Sequence, residues 1–389
     1  MIAYNRTELD NKWIREQAKD ALDAGCISPE ENTIIEAAHP VNFYTPNIFI
    51  CVGLFLLTAF IVLCSTGLLM LLTMGGSDSM TFILIFSGGA AYAGLEFIVR
   101  NRRHYRSGVD LGLIWMSALL FFSTIYTSGH QISGVTICFI LLFISLLFAV
   151  RFVNIMMSLV TYAALLALFV NIMEESGRAA QLITPYLLMA VSVIAFLAIE
   201  KIHRNDWIRN YRQCLIVLKA ATLISFYGAG NYFVVRELGN YMLGISQLPG
   251  TGLPMGWLFW LFTIAIPFLY IWQGIRRKDA IFLWTGMALI PCTIFTIRYY
   301  YQILPVEWAM IPGGLLLIVI AYGLIKYLKT PRHGFSSMES GKKHLLENLQ
   351  IESLVIADTF KGTGTAPPPN HDFKFGGGSG GGGGAGGVY

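Results

Sequence analysis

Asn47-IFICVGLFLLTAFIVLCSTGLLML-Leu72 carries no charged side chain from end to end. A helix rises about 1.5 Å per residue and the hydrocarbon core of a bilayer is about 30 Å thick, so about 20 apolar residues suffice to cross. Within hydrocarbon each backbone N–H and C=O must be paired inside the segment, which a helix achieves. This run therefore reads as a membrane-spanning helix. Nine further apolar runs follow it: Met80–Val99, Val109–Thr127, Ile132–Val150, Phe152–Met173, Thr184–Glu200, Cys214–Val235, Met255–Gly274, Ala280–Ile303 and Trp308–Leu328. Only Arg151 separates the run ending at Val150 from the one starting at Phe152, and together they are too long for one span. The pattern predicts a tight turn between Arg151 and Asn154. The expected fold is an all-α, polytopic transmembrane helix bundle of about ten spans.

Composition agrees. The 389 residues are 55% hydrophobic and only 13% charged, whereas a soluble domain carries roughly a quarter charged residues. The net charge of +4 is small and the basic residues form no single patch, so no nucleic acid is expected as a partner. The partner that composition implies is the lipid bilayer. The 6 cysteines include no Cys-x-x-Cys pair and mostly fall in or beside apolar runs, where they act as small hydrophobes.

The placement of charge sets the orientation. Arg100, Arg102, Arg103, Arg106 and Arg151 fall on one side, with Lys201, Arg204, Arg209, Arg212, Arg276, Arg277, Lys278, Lys326, Lys329 and Arg332. The opposite loops hold Arg178 and Arg236. The positive-inside rule then places both termini in the cytoplasm. The chain divides into three parts on this reading: a helical hairpin (1–46), the transmembrane bundle (47–328) and a tail (329–389). The first forty-odd residues are polar, so the run from Asn47 is expected to act as an uncleaved signal anchor.

In the hairpin, Thr7 and Asp10 make a capping-box-like start and Gly25 is placed to end the first helix. Ser28-Pro29-Glu30-Glu31 supplies an N-cap, a first-turn proline and acidic residues for a second helix that stops before Pro40. The hairpin is expected to cap the inner face of the bundle; a docking module for a protein partner is the other reading. In the tail, Lys342–Thr359 reads as one helix. Pro367-Pro368-Pro369 and the glycine tract from Gly376 to Gly387 cannot build a core.

Ile27-Ser28-Pro29-Glu30, with Phe43-Tyr44-Thr45-Pro46-Asn47-Ile48-Phe49 leading into the first span, resembles a family of Gram-negative bacterial membrane proteins defined by a domain of unknown function. Its members share a short cytoplasmic hairpin, a multi-span bundle and a Gly-rich end. The resemblance implies an inner-membrane location and carries over no catalytic residue.

Chemistry within the spans is sparse. All 7 histidines lie outside them, so no haem ligand pair is expected. No His-Glu-x-x-His, Gly-x-Ser-x-Gly or Walker lysine loop occurs. No catalytic residue, metal or cofactor is therefore expected. Glu96 faces Arg100 at helical spacing, Asp110 opens a helix and Glu200 adjoins Lys201, all at the inner boundary. Glu96-Phe-Ile-Val-Arg-Asn101 and Glu200-Lys-Ile-His-Arg-Asn205 share Glu, Ile, Arg and Asn in register, a weak sign of a parallel repeat. Lys219 is placed to snorkel inward, and Arg298 adjoins Tyr299, Tyr300 and Tyr301 as in an aromatic belt.

The candidate polar site is drawn from the seventh to ninth spans: Lys219, Tyr227, Asn231, Thr263, Pro267, Pro291, Thr293 and Arg298. A proline leaves the carbonyl four residues earlier without its helical donor. Pro267 and Pro291 therefore free the carbonyls of Thr263 and Met287, and a freed acceptor in hydrocarbon needs a donor or a ligand. Transport of a small molecule or lipid is the leading expectation, with a membrane scaffold or sensor acting through the hairpin and tail as the alternative.

The topology is tested by single cysteines in a cysteine-free background. A membrane-impermeant thiol reagent added outside should label Ser176→Cys and spare Ser340→Cys until the membrane is opened. Outside-only labelling at Ser340 would overturn the orientation.

Overall fold

The computed structural model describes residues 2–300 except 74–76, 128–131, 204–205 and 244–254, together with the isolated helical positions Leu315, Ile318, Tyr322 and Lys326. The chain divides into two compact units, Met1–Gly341 and Lys342–Tyr389. The second unit, with the expected tail helix and glycine tract, lies outside the described residues, as does nearly all of the expected tenth span.

Two polar helices come first, α1 (Arg6–Asp23) and α2 (Pro29–Ala38). The spans follow as α3 (Ile48–Thr73), α4 (Ser77–Asn101), α5 (Val109–Thr127), α6 (Gly134–Phe152), α7 (Ile155–Glu175) and α8 (Arg178–His203). After a 3-10 turn at Asp206–Tyr211 come α9 (Arg212–Gly230), α10 (Tyr232–Leu243), α11 (Gly256–Arg277) and α12 (Ala280–Tyr300). Among the described residues 9 helices are long and apolar enough to cross a membrane, all but α1, α2 and α10. The protein is thus an all-α, multi-span helical bundle. Two boundaries differ from the sequence reading. α8 starts at Arg178, with Pro185 inside the helix. The run read as Cys214–Val235 is not one helix: it breaks at Asn231, and Arg236, expected in a loop, is buried within α10.

Sequence-adjacent spans pack as hairpins: α4 with α5, α6 with α7, α8 with α9 and α11 with α12. One apolar core joins Leu95 and Val99 of α4 to Ile114 of α5, Phe152 of α6 and Met157 of α7. Another joins Leu223 and Tyr227 of α9 to Ile266 and Tyr270 of α11 and Phe282 and Leu289 of α12. The most apolar span, α3, buries almost nothing against protein beyond Thr66 and packs beside α4 and α5.

The turn expected near Arg151 is made by two residues. Val153 adopts a left-handed conformation with φ 49°, and Asn154 caps α7 by accepting from the Met157 N–H at 3.0 Å. A left-handed β-branched residue is strained. Burial of Val153 and the cap beside it hold it in place.

α1 begins after Asn5, whose side chain accepts from the Thr7 N–H, rather than at Thr7 itself. Gly25 ends the helix at φ 70°, and Ser28 and Glu31 form a reciprocal capping box on α2. The hairpin closes through Arg15–Glu36 at 3.1 Å and Asn11 Nδ2 donating to the Pro40 carbonyl at 2.9 Å.

The hairpin is tied to the bundle at several points. Ala3 N–H donates to the Arg151 carbonyl at 2.9 Å. Glu8 pairs with Arg103 at 3.1 Å and Asp10 with Arg209 at 2.6 Å. Tyr4 donates to the fully buried Asp110 carboxylate, which also accepts from the Arg106 and Ser107 N–H groups. Burial and the nearby Asp110 charge push the Tyr4 phenol well above its usual value. Three stretches read from the sequence as lying on one side, around Arg103, Arg151 and Arg209, thus meet the same N-terminal segment.

Asn154→Ala should cost about 1 kcal/mol of stability by loss of the cap, and Asn154→Asp should recover most of it. Reversible unfolding in mixed micelles checks this. Equal losses for both variants would show that the cap is not what holds the turn.

Candidate functional site

The break between α9 and α10 exposes backbone groups that a continuous helix would pair. The N–H groups of residues 231–234 each find a partner on a neighbouring helix or at the joint itself, that of Asn231 donating to the Gly228 carbonyl at 3.2 Å. Asn231 caps α10 by accepting from the Phe233 N–H at 2.9 Å and the Val234 N–H at 3.3 Å. The Tyr232 N–H donates to the Thr263 hydroxyl of α11 at 2.9 Å. That hydroxyl in turn donates to the Phe259 carbonyl at 2.7 Å.

Pro267 creates a second vacancy, because it has no N–H for the Thr263 carbonyl. Thr293 of α12 fills it, its hydroxyl donating to that carbonyl at 3.0 Å. A directional chain results. Asn231 Nδ2 donates to the Tyr227 hydroxyl at 2.9 Å, which lies 3.0 Å from the Thr293 hydroxyl, which donates to the Thr263 carbonyl. Asn231 Nδ2 also donates to the Thr296 hydroxyl at 3.0 Å. Asn231, Tyr227, Thr263, Thr293 and Thr296 are all buried, and so is Pro267.

Five of the eight sequence candidates therefore converge: Tyr227, Asn231, Thr263, Pro267 and Thr293. Thr296, about one turn beyond Thr293, belongs with them. Three do not converge. Pro291 is exposed on the outer surface of α12, and it is Gly286, not Pro291, that lies against Pro267, so the two prolines neither face each other nor share a level. Arg298 is half-buried near the end of α12. There Tyr299 and Tyr300 pack with Phe233, and Tyr300 also contacts Trp260 edge-on. These rings form an interhelical cluster rather than a belt alone.

Lys219 is the third exception. It lies about 18 Å along α9 from Asn231, at about 1.5 Å per residue, and does not snorkel alone. It pairs with Glu200 of α8 at 3.0 Å and with Asp279 of the α11–α12 turn at 2.7 Å. Burial raises the Asp279 carboxyl, but bonds from the Lys219 ammonium and the Ile281 N–H outweigh it and hold the group below its usual value. Glu96 has a comparable role in the other half, accepting from Arg151 at 2.8 Å and pairing with Arg100 at 3.0 Å. Both carboxylates of the suspected repeat thus hold a basic partner from another helix, although Arg204 and Asn205 lie outside the described residues.

A second hydroxyl cluster was not anticipated as a unit. Tyr162 of α7 lies 2.6 Å from Ser225 of α9, and Ser225 lies 2.9 Å from Ser192 of α8. Tyr270 of α11 donates to the Leu223 carbonyl at 3.1 Å beside it. Lone hydroxyls in three different runs carry no shared signal in the sequence.

Two cavities lie away from these clusters. One of about 200 Å³ is lined by Tyr4, Tyr105, Arg106, Asp110 and the 152–156 turn. The other, of about 580 Å³, lies among α1, the end of α8, the 3-10 turn and the start of α9. Among the described residues no three His, Cys, Asp or Glu side chains gather as a metal site. No protein-family model, curated protein or solved structure matches the chain. What stands is the class: a polytopic integral membrane protein whose described residues form an all-α bundle.

Thr293→Val should destabilise by about 1–2 kcal/mol, because it strands the Thr263 carbonyl. In a Pro267→Ala background the restored backbone N–H supplies that carbonyl, so the same change should cost less by about 1 kcal/mol. A double-mutant cycle measured by unfolding in micelles gives this difference directly. Strictly additive losses would show that Thr293 is not the donor that replaces the missing amide.

Proposed function

We propose that the protein moves a small molecule or a lipid across a bacterial inner membrane, with the α9–α10 joint as its working part. The observation that carries this reading is the interrupted helix. A break within a run that the sequence marks as a span places backbone ends, an asparagine and three threonines together on facing helices. Several transporter folds build substrate sites from such discontinuous helices. Gly230 and Asn231 give the joint small and turn-compatible residues, and Pro267 weakens the helix that supports it. The hydroxyl chain offers donors and acceptors that a substrate can take over one for one, so opening the joint need not strand a polar group.

The orientation belongs to the same proposal. Basic loops at Arg103, Arg151 and Arg209 gather where the N-terminal hairpin packs, and the positive-inside rule makes that end cytoplasmic. The inner-membrane location and the kinship to the Gram-negative family rest on the resemblance of the hairpin motifs.

One observation favours a scaffold or sensor instead. Helix α2 buries no residue, and Ile34 on it is 68% exposed. That face is where a protein partner would dock.

Vesicles reconstituted with the purified chain separate the two. The transport reading expects faster translocation of a labelled phospholipid, or of one class in a panel of labelled small solutes, than in protein-free vesicles. Asn231→Leu should lower that rate at least tenfold while still inserting. Rates equal to protein-free vesicles for every lipid and solute would discard transport and leave the scaffold.

A further inference from the structure

We propose that the cavity of about 580 Å³ among α1, α8 and α9 binds the phosphate group of an anionic phospholipid. Its lining holds three basic side chains, His203, Arg209 and Arg212, and no carboxylate among the described residues. Ile202, Ile208 and Leu215 supply aliphatic wall, and Trp13 of α1 supplies an aromatic one. The position fits a headgroup. Candidate spans Leu182–His203 and Ile208–Gly230 end and begin at this cavity, so it sits where hydrocarbon gives way to the polar boundary. Basic pockets between helices at that level are suited to lipid phosphates.

Arg209 is pre-positioned. Its Nη2 is held by Asp10 at 2.6 Å and its guanidinium lies 4.7 Å above the Trp13 ring. Its Nε is a buried donor with no partner among the described residues. A buried donor left unpaired is costly, and a phosphate oxygen in the cavity would relieve it. Asp10 offsets the charge of Arg209 but leaves Arg212, exposed and paired with no carboxylate among the described residues, to attract an anion. His203 adds a further ring N–H donor to the lining. The aliphatic wall distinguishes this cavity from a site for free phosphate, which would have no use for it. The inference does not depend on whether the chain transports anything.

The test titrates the detergent-purified full chain with dioleoyl-phosphatidylglycerol, dioleoyl-phosphatidylcholine or inorganic phosphate, counting bound lipid by native mass spectrometry. His203 and Arg212 are exposed, so Arg212→Gln and the double variant with His203→Gln should keep the wild-type melting temperature. Phosphatidylglycerol should bind wild type preferentially, weaken about fivefold in Arg212→Gln and more in the double variant. Lys201→Gln, which removes a neighbouring charge outside the cavity, should leave binding unchanged. Equal affinity for phosphatidylcholine, or an equal loss in Lys201→Gln, would overturn the proposal in favour of diffuse attraction. Displacement of the lipid by millimolar inorganic phosphate would keep the anion site and overturn its assignment to a lipid.

Discussion

In hydrocarbon an unpaired backbone carbonyl or amide costs several kcal/mol, and no water is at hand to relieve it. The α9–α12 half of the bundle is organised around that penalty. Pro267 removes one donor and the break at Asn231 removes others, and the three threonines of α11 and α12 replace or brace what is lost. Thr263 serves both vacancies, its hydroxyl receiving the Tyr232 N–H and its carbonyl receiving Thr293. The packing of α11 against α12 follows the same need, since the donor for one helix sits on the other. Gly286 lets them approach, because a Cβ there would come within 3.0 Å of the Pro267 carbonyl oxygen.

Charge obeys a related rule at the other end of the spans. Glu96, Asp110, Glu200 and Asp279 lie near helix ends or in connecting segments, and each is bonded to groups from a different part of the chain. Between them they join α4 to α6, α5 to the N-terminal arm, and α8 to α9 and to the α11–α12 turn. The N-terminal segment adds apolar cover through Tyr4 and Leu9, which enter the same core as Leu95 and Phe152. The hairpin is therefore part of the bundle's construction, while the outer face of α2 remains open to a partner.

The two halves are held together by different sets of contacts. The α4–α7 region is held by aromatic packing of Tyr92, Phe148 and Phe152 and by the bidentate Arg151–Glu96 pair. The α9–α10 joint is held by hydroxyl and amide hydrogen bonds and by the packing of Tyr232 on Trp260 and Tyr300.

The sequence by itself determined the class of fold, because the length and purity of the apolar runs are a local property that the bilayer alone demands. It also placed the tight turn at Arg151–Asn154 and the caps of the hairpin, since N-caps, first-turn prolines and terminal glycines act within a few residues. Of the polar site it showed Tyr227, Asn231, Thr263, Pro267 and Thr293 as residue types that suit one. It did not show that Pro291 faces outward, that Lys219 belongs to a separate ion cluster, or that the seventh run is broken at Asn231. Those facts depend on which face of each helix meets which neighbour. The apolar side chains of α12 surround the helix, so hydrophobic periodicity gives no face to its proline. The break at Asn231 is tolerated because threonines far away in sequence pay the backbone's hydrogen-bond debt, and only tertiary packing decides whether such partners arrive.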